Sequence, residues 1–235
     1  MKLLVIQHSA NEHSGLFGNL FRTDGHAVTT FHPYTQAEAP DLDRFDALWV
    51  LCGAMNVWQA PEIPWLAAEI DLIRRAVLDR ALPYFGICLG HQLLGHVLGA
   101  TVAAAARSEV GMLPVERVGD GSELDGLPDR FTCFHWHEAE VQSLPEGARI
   151  TARSADCAIQ GMAWGDRASS VQFHPEVSRT VLNDWFAEKS WITLYDDLQG
   201  EDASLRLRNQ AGVMDAALHR LSSRLYSNWM AQNFS

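Results

Sequence analysis

The chain has 235 residues, 47% of them hydrophobic, which is enough to bury one large core or two small ones. Eighteen basic against 29 acidic side chains leave a net charge of -11, which repels phosphate backbones and anionic lipid and argues against nucleic acid or a membrane as a partner. Four cysteines, at 52, 88, 133 and 157, lack the tight spacing of a secreted disulfide framework, so a special cysteine here is chemical rather than structural.

The opening stretch MKLLVIQHSA has an apolar run too short for a signal peptide or a membrane span and reads as a first strand, in a chain expected to stay in the cytosol. Residues 3–6, 47–51 and 82–87 are short, wholly apolar and followed by glycine or polar turns, as the central strands of a parallel sheet are. Between the second and third, PEIPWLAAEIDLIRRAVLDRA places Leu66, Ile70, Ile73 and Val77 at helical spacing behind prolines suited to a helix start, giving a βαβ unit. After Gly90 the run HQLLGHVLGA continues as a short helix that stops near Gly99. From about 101 to 175 the pattern turns to alternating strands separated by turns such as VGDGSELDG and LPEGA, an antiparallel or mixed addition. The tail from about 180 to 235 is helical, and Leu218, Leu221, Leu225 and Trp229 form one stripe, which predicts a last helix packed back on the same domain. The fold class is α/β in a single domain, residues 1–235, with a mostly parallel sheet flanked by helices.

The chemistry concentrates at PYFGICLGHQ. A strand that ends at Ile87 and turns at once into a helix sets Cys88 on a sharp bend, with Gly86 and Gly90 removing the side chains that would crowd it. G-x-C-x-G is the cysteine form of the nucleophile elbow. The helix N-terminus favours a thiolate, and the free N–H of Leu89 points to where an oxyanion would form. A packing cysteine in a tight turn is the alternative for the pentapeptide alone. Far downstream, SSVQFHPEV ends in His174-Pro175-Glu176. In an extended chain residues two apart project to one side, so Glu176 could hold the His174 imidazole toward a thiol brought in by the fold.

Together these residues resemble the class I (triad) glutamine amidotransferases, especially stand-alone proteins related to the glutaminase domain of GMP synthetase. GICLGHQLLGHVLGA is similar to that family's nucleophile elbow, VQFHPEV to its His-x-Glu element and WVLCGAMNVW to its oxyanion loop, often written L-G-G-P-M. FHWHEAEVQSLPEGARITARSADCAIQGMAWG is similar to its substrate-side strand and hairpin, so the resemblance covers roughly residues 45 to 178. It implies a flavodoxin-like fold, no cofactor and no metal. It further implies that Cys88 attacks the γ-carboxamide carbon of glutamine to form a glutamyl thioester, with His174 shuttling protons, Glu176 orienting it, and the N–H groups of Gly53 and Leu89 cradling the oxyanion. Gln92, Met55 and the segment Trp136, His137 and Glu138 match positions that hold the substrate.

Two departures stand out. Cys52-Gly53-Ala54 replaces Gly-Gly-Pro, keeping the oxyanion glycine but losing a stiffening proline, which predicts a hole that forms only on substrate binding. His137-Glu138-Ala139 stands where relatives often read His-Gly-Asp, which alters the pocket wall and with it substrate preference. Cys133, His135 and His137 alternate on a strand and could ligate zinc, but no fourth ligand is evident, and the resemblance explains the histidines as pocket-lining. His91 and His96 are expected in core or surface roles, and His8 and His13 lie in the loop after the first strand with no role that the sequence assigns. Three functions follow: a glutaminase that passes ammonia to a separate synthetase, no ATP-binding P-loop being present here; a free-standing γ-glutamyl amide hydrolase; and a non-catalytic binding module.

Overall fold

The computed structural model describes residues 1–36, 38–119 and 122–234; Asp120 and Gly121 of the VGDGSELDG turn lie outside the described residues. Among the described residues nine strands form one mixed sheet. β1 (Lys2–Ile6), β2 (Ala27–Phe31), β3 (Ala47–Val50) and β4 (Tyr84–Ile87) run parallel with β9 (Ala168–Val171). The remaining four, β5 (Val102–Arg117), β6 (Arg130–Val141), β7 (Ala148–Arg153) and β8 (Gly161–Trp164), continue it antiparallel, in the order β2-β1-β3-β4-β9-β8-β7-β5-β6.

The central strands read as unbroken apolar runs because both faces are covered. Leu4, Ile6, Leu48, Val50 and Tyr84 face a core closed by α2 (Pro64–Arg74) and α3 (Leu89–Val97). Leu3, Val5, Trp49, Phe85 and Ile87 point the other way, into a core shared with α1 (Gly15–Thr23) and the long C-terminal helix α6 (Ala203–Phe234). The helix expected within PEIPWLAAEIDLIRRAVLDRA is present, but it widens into a π-helical segment at Arg75–Asp79, which keeps Val77 buried as Ile73 is. Two elements escaped the sequence pattern. α1 is only nine residues long and buries Leu16, Phe17 and Phe21, while β2 is an edge strand with four of its five residues exposed and so carries no apolar run.

The tail folds into α4 (Arg179–Trp185), α5 (Lys189–Gln199) and α6. The stripe Leu218, Leu221, Leu225 and Trp229 is buried against the chain's own sheet, as its spacing predicts. Trp229 stands edge-on to Trp49 at 4.9 Å, and its Nε1–H donates to the Tyr84 carbonyl at 3.2 Å. Trp229→Ala should therefore remove a fully buried indole from beneath β3 and β4 and lower the unfolding free energy by about 3–5 kcal/mol, read from urea denaturation with an unchanged slope.

Candidate active site

Cys88 sits between β4 and α3 with φ 52° and ψ -101°, a left-handed backbone that a non-glycine residue adopts only under constraint. Its N–H still pairs with the Val171 carbonyl at 2.9 Å, so the strand is held to the sheet up to the bend itself. The flanking glycines are steric requirements. A Cβ at Gly90 would lie 2.2 Å from the Val50 carbonyl oxygen, and one at Gly86 would lie 2.5 Å from the Gly90 oxygen. The Tyr84 hydroxyl closes the turn by donating to that same Gly90 oxygen at 2.7 Å. As the first residue of α3, Leu89 has an N–H with no acceptor inside its helix. Among the described residues the Gly53 amide likewise donates to no protein acceptor.

His174 follows β9 and is bridged to β6 by its N–H, which donates to the Phe134 carbonyl at 2.8 Å. Its Nδ1–H donates to Glu176 Oε1 at 2.7 Å, both side chains being buried. The opposite nitrogen, Nε2, is buried without a hydrogen-bond partner, and Cys88 is the other group acting on the ring. Burial by itself depresses the imidazole's proton affinity, but the carboxylate of Glu176 and then the Cys88 sulfur outweigh it, holding the pKa well above the usual 6.5. Two distant elements pin the His-Pro-Glu turn. The Leu16 N–H at the start of α1 donates to the Glu176 carbonyl at 3.0 Å, and the Ser222 hydroxyl of α6 donates to the Pro175 carbonyl. Gly15 permits the first contact, since it has φ 50° and its Cβ would lie 2.2 Å from the Glu176 oxygen.

These groups border a cavity of about 290 Å³ lined by Cys88, His174, Gly53 and Gln92, among others. Met55, Trp136, His137 and Glu138, the positions expected to meet substrate, all line it as well. The Cys88 thiol faces the Trp136 carbonyl at 3.9 Å. Gln92 is less free than its position suggests, because its amide nitrogen donates to the Ala139 carbonyl at 3.1 Å and to Gln172 Oε1 at 3.2 Å. A second thiol, Cys52, lies within 4.8 Å of both a His174 and a Glu176 ligand atom. Burial, with the nearby Glu12 carboxylate, pushes that thiol well above its ordinary pKa and keeps it protonated.

The face proposed for Cys133, His135 and His137 divides differently. The Cys133 thiol donates to the His174 carbonyl at 3.3 Å, while the two histidines gather around Glu109 of β5 instead. Only His137 of the pair reaches the cavity. The ligand atoms of Glu109, His135 and His137 all lie within 4.8 Å of one another, and the Gln160 amide nitrogen lies among them, 2.5 Å from Glu109 Oε2, 3.2 Å from His137 Nε2 and 3.4 Å from His135 Nδ1. Burial would raise the Glu109 pKa, but its hydrogen bonds from His137 and Ser154 hold it low, and burial drives His135 down to about 3. His91, buried and bonded to the Ser170 hydroxyl at 2.9 Å, is likewise pushed down to about 3, whereas His96 is exposed. His13 bonds to Asp184 at the surface, at 3.2 Å. Glu12, Trp185 and Trp191 line the cavity and Glu109 bonds to its wall residue His137, and none of them was legible in the sequence, since each lies in a loop, strand or helix whose path to the site no local pattern encodes.

The chain matches the family model for glutamine amidotransferase class-I over residues 18–193. It belongs to the class-I glutamine amidotransferases. These are Cys-His-Glu triad amidohydrolases, and the fold described above is their flavodoxin-like one. It is 46% identical over 133 residues to a GMP synthase (glutamine-hydrolyzing) of Thermomicrobium roseum, a match covering 55% of this chain and 23% of that protein. It is also 38% identical over 157 residues to a glutamine-hydrolyzing GMP synthase subunit of Saccharolobus solfataricus, covering 66% of this chain and 79% of the relative. The chain thus spans about a quarter of the first relative and most of the second. A glutamine amidotransferase from Thermotoga maritima superposes with a TM-score of 0.90 over 100% of this chain and 99% of its own, at 26% identity. No helix among the described residues is long and apolar enough to cross a membrane.

The raised His174 pKa fixes the direction of a pH effect. A histidine whose folded pKa exceeds its unfolded 6.5 contributes stability that is full below pH 6.5 and fades as the pH rises through the folded value. Replacing Glu176 with Gln should remove the larger of the two raising groups and leave only the Cys88 sulfur to oppose burial. Histidine NMR titration should then show the His174 pKa in Glu176→Gln lowered from that of the wild type.

Proposed function

We propose that the protein hydrolyses the γ-carboxamide of L-glutamine through a thioester on Cys88 and releases ammonia for a separate acceptor enzyme. The observation that carries this reading is the strained Cys88 elbow meeting the buried His174–Glu176 pair across one cavity. The Cys88 thiolate adds to the amide carbon, and the oxygen takes up charge beside the Gly53 and Leu89 amides. The C–N bond then breaks as His174, protonated and held by Glu176, gives its proton to the departing nitrogen. Water next attacks the thioester, His174 takes a proton from it, and glutamate leaves with the thiolate restored. Met55, Gln92, Trp136, His137 and Glu138 form the wall against which the glutamyl part rests. The relationship to a GMP synthase made of more than one chain supports a separate synthetase partner.

One observation favours a second reading, hydrolysis of γ-glutamyl amides whose nitrogen carries a substituent. The departing nitrogen lies on the side of His174, and there the cavity is walled by Trp185, 5.8 Å from the imidazole, and by Trp191. Such an aromatic wall would cover an organic substituent but gives nothing to ammonia. Release of glutamate by the purified chain from L-glutamine and from a γ-glutamyl alkylamide separates the two. Rapid turnover of the alkylamide alone assigns the second reading, and glutamine turnover without preference for the alkylamide assigns the first. Cys88→Ala should reduce either activity by more than about 10³-fold while circular dichroism stays unchanged. Undiminished turnover in that variant would remove the thioester mechanism.

A further inference from the structure

The loop that carries Gly53 reads Cys52-Gly53-Ala54 where the family pattern it resembles has Gly-Gly-Pro, and a buried ion pair lies directly behind it. His8, in the loop that follows β1, places Nδ1 2.8 Å from the Cys52 carbonyl oxygen. Its Nε2 lies 2.9 and 3.0 Å from the two carboxylate oxygens of Glu69 on α2. Both side chains are fully buried. A carbonyl and a carboxylate can only accept, so the ring needs a proton on each nitrogen, and His8 is an imidazolium. Burial opposes that charge, but Glu69 first, then the Cys52 carbonyl and Glu12, hold the His8 pKa above its usual value.

The geometry acts on one peptide unit. The Cys52 carbonyl and the Gly53 N–H belong to the same planar, trans amide and point in opposite directions, so a donor that fixes the oxygen on one side fixes the N–H on the other. His8 also fills the space around the glycine: a Cβ at Gly53 would lie 3.0 Å from His8 Cβ and Cγ and 2.7 Å from Leu89 Cδ2. Turning the peptide over would strip the His8 Nδ1–H of its acceptor and leave a buried donor on a charged ring unsatisfied, a change that is disfavoured in this setting. We propose that His8 and Glu69 are positioning residues that lock the Cys52–Gly53 peptide with its N–H toward the oxyanion, doing with a charged hydrogen bond what the missing proline does by stiffness. The inference rests on the reading of Gly53 as an oxyanion donor.

Two alkylating reagents test it without requiring turnover. A chloroketone analogue of glutamine presents a carbonyl whose oxygen must take up charge as Cys88 adds to it, whereas iodoacetamide reacts by direct displacement and uses no oxyanion donor. Mass spectrometry gives the rate at which each labels Cys88. His8→Ala and Glu69→Leu should slow the chloroketone about tenfold to a hundredfold, short of the 10²–10³ that follows outright loss of an oxyanion donor. The iodoacetamide rate should stay within about twofold of the wild type. His8→Asn, which keeps a donor near the position of Nδ1, should recover most of the loss. If His8→Ala does not fold, Glu69→Gln, which keeps shape but not charge, carries the test with a smaller loss in the same direction. Equal chloroketone rates in folded variants and wild type, or equal slowing of both reagents, would overturn the assignment. A wild-type chain whose Cys88 takes iodoacetamide but not the chloroketone removes the glutamine-site reading itself, and that result is distinct from a failure of the brace.

Discussion

The approach of the first turn of α3 onto the end of β3, where Gly90 touches the Val50 carbonyl, constrains most of the site. A helix brought this close to a sheet leaves Cys88 no ordinary backbone conformation, and the left-handed bend it adopts stores about 1–3 kcal/mol. The apolar cores on the two faces of the sheet hold that strain in place, together with the Cys88–Val171 and Tyr84–Gly90 hydrogen bonds. In return the thiol stands clear of the sheet, with the open amide of Leu89 beside it. Any side chain at Gly86 or Gly90 would push the helix away and undo both.

The proton-handling side is assembled from parts of the chain that have little to do with one another in sequence. His174 hangs from β6 by a backbone bond, Glu176 is fixed by the start of α1, and Pro175 is fixed by Ser222 of the C-terminal helix. The helical tail is therefore more than a cover for the sheet. It sets the turn that aims the imidazole, and its neighbours α4 and α5 supply Trp185 and Trp191 to the cavity wall. Long aromatic side chains here also thin the solvent around His174, which strengthens the carboxylate's hold on the ring.

Among the described residues, buried ionisable groups near the cavity include three networks: His8 with Glu69, His174 with Glu176, and His137 with Glu109, Gln160 and Ser154. Each is a charge kept inside a low-dielectric interior by a partner of opposite sign or by several donors, an arrangement that is rigid because losing one member leaves the other unpaired. In the third network the Gln160 amide nitrogen lies within 3.5 Å of a ring nitrogen of each of the two β6 histidines and of Glu109, tying His137 of the cavity wall to β5.

Residues 3–6, 47–51 and 82–87 announce the parallel sheet by themselves, since strands covered on both faces must be apolar throughout. The elbow was equally legible, because G-x-C-x-G is a local steric demand, and so was the packing of the last helix, because Leu218, Leu221, Leu225 and Trp229 already describe a face. The edge strand β2 and the short α1 were not, since an exposed edge and a nine-residue helix leave too few apolar positions to form a pattern. What no window of sequence could decide is which polar groups meet: His8 with Glu69 across 61 residues, His137 with Glu109 across 28, Ser222 with Pro175 across 47. A buried charge finds its partner through the fold, and only the tertiary structure brings the two within reach.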